Sequence, residues 1–190
     1  METLIDISQK QLIEKCCKND RKSQAALYKT HYQAMMKVCL RYSGNREDAN
    51  EILNSGFLKV FTSISNYNFQ GSFEGWMRKI MVNTALDKIK SEQIQKQNTL
   101  VVEDYSAYEN EIMVENDAVK GISSEVVLGL VNQLPLMSRS VFNLYVFDGY
   151  SHREISQMLG IKEGTSHWHL MNARTLLKEK ISHPQTQIFN

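Results

Sequence analysis

The chain has 190 residues, 42% of them hydrophobic, with three cysteines and a formal net charge of +1. That length holds one medium domain or two small ones. The odd cysteine count, with Cys16 beside Cys17 and Cys39 alone, argues against a disulfide framework and fits a reducing compartment.

Almost every segment reads as helix. Only two prolines occur, and no alternating strand pattern lasts more than a few residues. Leu12, Ile13, Cys16 and Cys17 recur at helical spacing, followed by Leu27, Tyr28, Met35, Met36, Cys39 and Leu40. The cysteines fit this stripe as small buried apolar groups. Ala49, Ile52, Leu53, Gly56, Phe57, Val60, Phe61 and Ile64 form a broad apolar stripe over four turns. Residues 66–72 break the pattern and read as a loop. A further helix carries Phe73, Trp76, Met77, Ile80, Met81 and Ile89, with Trp76 read as core.

Charge then divides the chain. Residues 1–96 carry a net +5, residues 97–125 a net −6 and residues 126–190 a net +2. The acidic stretch has no helical periodicity and reads as a flexible, solvated linker. The expected architecture is all-α, with two small helical domains at 1–96 and 126–190 joined by the linker 97–125. Helical spacing returns with Val126, Val127, Leu130, Val131 and Leu134. Pro135 forces a break, and Val141, Phe142, Tyr145 and Val146 predict another helix.

Residues 150–174 carry the most specific local pattern. Ser151 is placed to cap a short helix, with Glu154 completing a capping box. Ile155 and Leu159 supply its apolar stripe, and Gly160 is placed to end it in a left-handed conformation. A second helix from about Glu163 buries Leu170, Ala173 and Leu177. It is expected to turn His167, Trp168, Met171 and Asn172 outward. Two short helices around a tight turn are the layout of a DNA-reading helix-turn-helix.

No phosphate-cradling glycine loop, nucleophile elbow or paired metal ligands occur, so no catalytic residue, cofactor or metal is expected. His167 and His169, two apart, point to different sides of a helix. No apolar run approaches the ~20 residues that cross a bilayer. The Met1-Glu-Thr-Leu-Ile-Asp6 start lacks a basic stretch leading into an apolar one. Neither membrane insertion nor a secretory leader is therefore expected, and a cytoplasmic location fits.

With both blocks laid out, the chain resembles an extracytoplasmic-function sigma factor of bacterial RNA polymerase. Residues 24–90 are similar to sigma region 2. The matching pieces are Ala26-Leu-Tyr28 with Tyr32, Asn45-Arg-Glu-Asp-Ala49, Gly56-Phe-Leu-Lys-Val-Phe61, and Phe73-Glu-Gly-Trp-Met-Arg-Lys-Ile80 through Asn83 to Asp87. Residues 126–180 are similar to sigma region 4. Here the pieces are Leu134-Pro135 with Arg139, Tyr150-Ser-His-Arg-Glu-Ile155, Leu159-Gly160-Ile161, Gly164-Thr165 and Ala173-Arg174.

The resemblance implies a transcription-initiation factor, monomeric when free, whose partners are core RNA polymerase, promoter DNA and, commonly in the family, an anti-sigma factor. It implies minus-35 DNA contact by Arg153, Thr165, His167, Trp168, Met171, Asn172 and Arg174. Minus-10 contact falls to Asn68, Phe69, Gln70, Lys79, Asn83 and Lys90, the first three shaping a pocket for a flipped base. Asp48, Glu51, Asn54 and Leu58 form a mixed acidic and apolar strip suited to a basic helical partner, the polymerase clamp. The chain departs from the family at Asn50, Asn54-Ser55 and Gly56, and at the neutral residues His167, Trp168, His169 and Asn172, where cations are usual. A stand-alone helix-turn-helix regulator and a sigma-like protein adaptor without promoter reading are the competing readings.

Overall fold

The structure, a computed structural model, describes residues 7–97 and 124–182. Every element among the described residues is helical, in two compact units, Met1–Lys88 and Ile89–Asn190. The dividing point falls within the fourth helix. The acidic stretch expected as a linker lies, but for its ends, outside the described residues.

The first unit contains α1 (Ile7–Cys17), α2 (Arg21–Tyr42), α3 (Arg46–Ser63) and the start of α4 (Phe73–Gln97). Asp20 caps α2 by accepting from the Ser23 amide at 2.7 Å. Asn45 caps α3 through the Asp48 amide at 2.8 Å. Each takes up one donor that the first helical turn leaves unpaired. The four-turn stripe of α3 is the core edge expected, with Ala49, Ile52, Leu53, Gly56, Phe57 and Val60 buried. It meets Leu27, Met35 and Cys39 of α2 and Met77, Met81 and Ala85 of α4 in an apolar interior.

Gly56 explains one departure from the family pattern. A Cβ at this position would fall on the Met81 sulfur. The glycine costs about 1 kcal/mol of helix propensity and lets α4 lie close against α3. Cys16 and Cys39 are buried as expected, whereas Cys17 is exposed. It is the last residue of α1, one position beyond the buried Cys16.

The second unit contains α5 (Ser124–Asn132), α6 (Leu136–Phe142), α7 (His152–Leu159) and α8 (Glu163–Ser182). Val131, Leu134, Val141, Leu144, Ile155, Leu170 and Ala173 form its apolar core. α6 runs on as a π turn, Asn143–Phe147. That turn corrects the sequence reading of this helix. Within the wider turn Leu144 is buried, whereas Tyr145 and Val146 are 38% and 47% exposed.

Candidate nucleic-acid interface

The turn between α7 and α8 is built by local chemistry. Ser151 Oγ lies 3.3 Å from the Glu154 amide, and the Glu154 carboxylate accepts from the Ser151 amide at 2.8 Å, which completes the capping box. Gly160 closes α7 at φ 69°, ψ 32°, a left-handed position where a Cβ is disfavoured. Ser166 then donates its amide to the Lys162 carbonyl, and α8 begins.

α8 buries Ser166, His169, Leu170, Ala173 and Leu177. His167 is exposed, while Trp168, Met171, Asn172, Thr165 and Arg174 are half-buried; Arg153, on α7, is exposed. The expected outward quartet is thus graded rather than uniform. His167 stacks on the buried His152 with ring centroids 3.7 Å apart, and His152 stacks on Tyr145 at 4.7 Å. The Arg174 guanidinium sits 6.0 Å from the Tyr145 ring. His152 Nδ1 pairs with Ser166 Oγ at 2.9 Å. Burial, then His167 and Arg174, push the His152 pKa down to about 4, so the ring is neutral near pH 7.

Asn172, expected to face outward, is half-buried with its amide tied to a neighbouring helix. Its side-chain nitrogen donates to Ser138 Oγ at 3.1 Å, and the same hydroxyl lies 3.1 Å from His169 Nδ1. Burial pushes His169 down to about 4 as well. His152 and Ser138 were not among the expected site residues. Their partners lie 14 and 31 residues away in sequence, beyond any local pattern.

In the first unit, the loop before α4 is tied down from within. The Tyr67 hydroxyl donates to the Gly71 carbonyl at 2.8 Å, and Asn68 Oδ1 accepts from the Gln70 amide at 3.1 Å. Phe69 sits in the left-handed region at φ 61°, a conformation that costs a bulky side chain about 1–2 kcal/mol. Its ring lies 5.0 Å from that of Tyr67, with Lys10 Nζ 5.7 Å from its centroid. Asn68 and Gln70 are exposed and Phe69 half-buried. Trp76 is half-buried against Phe73 and Tyr67. On α4, Lys79 and Asn83 are exposed on one side, and Lys90 falls on the same side by helical register.

The α3 strip carries charge that is already paired. Lys88 donates to Asp48 at 2.7 Å and to Glu51 at 2.5 Å. Burial opposes the Lys88 ammonium, but these two bonds outweigh it and raise its pKa, while the Lys88 hydrogen bond holds Asp48 below its ordinary value. Lys59 similarly meets Asp87 at 2.8 Å. Asn54 lies within 3.5 Å of the Tyr28 hydroxyl, and Leu58 stands 66% exposed. Lys88 was missed in the sequence, although a signal existed. It follows Met81, Thr84 and Ala85 on the buried side of α4, where a cation needs an acidic partner.

The first unit is a helical bundle with Lys79 and Asn83 exposed along one side of α4, and the second is a helix-turn-helix unit, the class of fold that reads DNA. Two family models match the chain, Sigma-70 region 2 over residues 27–94 and Sigma-70, region 4 over residues 124–177. The ECF RNA polymerase sigma factor SigE of Mycolicibacterium smegmatis is 29% identical over 160 residues, covering 82% of this chain and 60% of that protein. The chain therefore spans less than two-thirds of that relative's length. The ECF RNA polymerase sigma-E factor of Haemophilus influenzae is 22% identical, covering 90% of this chain and 93% of that one. The sigma factor RpoE of Bartonella quintana, solved in complex with the anti-sigma factor NepR, gives a TM-score of 0.49 at 13% identity. It covers 85% of this chain and 98% of that one. The chain belongs to the extracytoplasmic-function type of RNA polymerase sigma factors. Among the described residues, no helix is long and apolar enough to cross a membrane.

Proposed function

We propose that the chain binds core RNA polymerase and directs it to promoters, with α8 on the minus-35 element and α4 with its preceding loop on the minus-10 element. The observation that carries this reading is the presence, in one chain and in order, of both sigma regions, the second folded as a capped helix-turn-helix. In that assembly the bond-making chemistry belongs to the polymerase. The functional division is 1–96, 97–125 and 126–190, with the acidic middle as tether.

Each group has a role that suits its chemistry. Arg153 and Arg174 hold phosphates, and Thr165, His167, Trp168, Met171 and Asn172 face base edges and thymine methyls. With so few cations on α8, minus-35 binding has a shallow salt dependence. Lys79, Asn83 and Lys90 track the minus-10 strand, while Asn68, Phe69 and Gln70 receive an unstacked base. Asp48, Glu51, Asn54 and Leu58 meet a basic helical surface of the polymerase. A cytoplasmic monomer, held in check by an anti-sigma protein, completes the reading.

Run-off transcription with core polymerase on fragmented genomic DNA tests it. Discrete starts that share upstream motifs and are absent with core alone are expected. Polymerase binding without starts favours a protein adaptor. Specific DNA binding without polymerase binding favours a stand-alone regulator.

A further inference from the structure

Ser138 is almost fully buried on α6, at 1% exposure, yet its hydroxyl reaches the DNA-facing helix. It accepts from the Asn172 side-chain nitrogen at 3.1 Å and stands 3.1 Å from His169 Nδ1. A serine hydroxyl has a single proton. A neutral His169 carries its one ring hydrogen on either nitrogen, and in the tautomer with that hydrogen on Nε2 its Nδ1 accepts the Ser138 proton. The oxygen is then left to accept, and only the nitrogen end of the Asn172 amide can satisfy it. The relay runs one way, from Asn172 through Ser138 to His169. A free asparagine side chain turns over and offers either its amine or its carbonyl. This one is held with its nitrogen inward.

We infer that Ser138 is a positioning residue for promoter reading: by holding the Asn172 nitrogen it presents the Asn172 carbonyl to the major groove, so the chain selects an amine-bearing base, adenine or cytosine, over a keto-bearing one at the base that Asn172 faces. Adenine N6 and cytosine N4 are donors that an outward carbonyl can accept from, whereas guanine O6 and thymine O4 are acceptors that it cannot pair with. The inference rests on the minus-35 role proposed above for α8, and it adds the chemical class of base and the residue that sets it.

The test is selection of upstream duplexes from a randomised library by holoenzyme reconstituted with the full chain. Asn172→Ala identifies the position, because amine-over-keto preference there alone collapses. The wild type prefers amine bases at that position by roughly five- to tenfold, the worth of one hydrogen bond plus the rejected mismatch. Ser138→Ala lets the amide turn and brings that ratio close to one, while Ser138→Thr, which keeps the hydroxyl, preserves it. Asn172→Asp offers oxygen in either orientation and also preserves it, so the inference stays testable if Ser138→Ala does not fold.

A keto preference in the wild type, an Asn172→Ala variant with unchanged preferences, or a folded Ser138→Ala variant that keeps its selectivity would each overturn the inference. A holoenzyme that assembles and selects a minus-10 motif with no upstream amine preference sinks this inference alone. Failure of the chain to bind polymerase sinks the polymerase reading and this inference with it.

Discussion

The two units bury different kinds of residue. Among the described residues of the first, the buried polar side chains are Ser23, Ser43 and Thr84, set in an interior of Leu27, Met35, Leu53, Met77 and Met81. The second buries Ser138, Arg139, Ser140, Asn143, His152, Ser166 and His169 within fewer described residues. Apolar packing is non-directional and tolerates small rotations, whereas hydrogen bonds fix orientation and fail when one partner is lost. The first unit is therefore a robust platform, with Lys88 and Lys59 paired to acidic side chains at its rim. The second is an oriented device whose recognition helix is held by directional bonds.

Acidification is the strongest way to separate them. His152 and His169 hold pKa values near 4 in the fold against an ordinary 6.5. Between those values the unfolded chain binds more protons than the native one, so stability rises with pH. The contribution is complete above about pH 6.5 and is lost as pH falls toward 4. A drop from pH 7 to pH 5 should cost the second unit roughly 1–2 kcal/mol per ring. His31, half-buried and shifted the same way by burial, gives the first unit a smaller share. Calorimetric melts across this range should show the second unit's transition moving down well ahead of the first. Parallel movement of both would refute the contrast.

Leu53→Ala attacks the platform instead. It should destabilise the first unit by about 3 kcal/mol, with a loss that is the same at pH 7 and pH 5 by urea titration. Ser151→Ala removes the hydroxyl half of the capping box and should cost the second unit about 1 kcal/mol, read as faster amide exchange at the start of α7. The smallest expected effect on stability is that of Lys88→Ala. Its partners Asp48 and Glu51 are partly exposed, with side-chain exposures of 36% and 68%, and such pairs contribute under about 1 kcal/mol. The variant frees two carboxylates on the proposed polymerase-binding strip. It should therefore tighten core binding at low salt and lose that gain at high salt. Weaker binding at all salt concentrations would place the interface elsewhere.

The parts legible in the sequence are those governed by short-range rules. Ser151, Glu154 and Gly160 announce the turn because caps and left-handed glycines are decided within a few residues. The α3 stripe follows from a single helical period. Orientation of the site was not legible. Asn172 reads as an outward-facing side chain until Ser138, on another helix, is brought beside it, and Asp48 and Glu51 read as an open acidic strip until Lys88 folds across them. The π turn was hidden for a related reason. Its residues suit an ordinary helix, and nothing in their local spacing marks the wider turn that holds Tyr145 and Val146.

Gly56 has a reach beyond its own packing. Because it carries no side chain, α4 settles close against α3, with the Met81 sulfur in the vacant space. The same proximity brings Lys88 to Asp48 and Glu51. A buried position thus helps set the charge pattern of the exposed strip on α3. Enlarging that residue would retune the electrostatics of the strip without altering a single charged group.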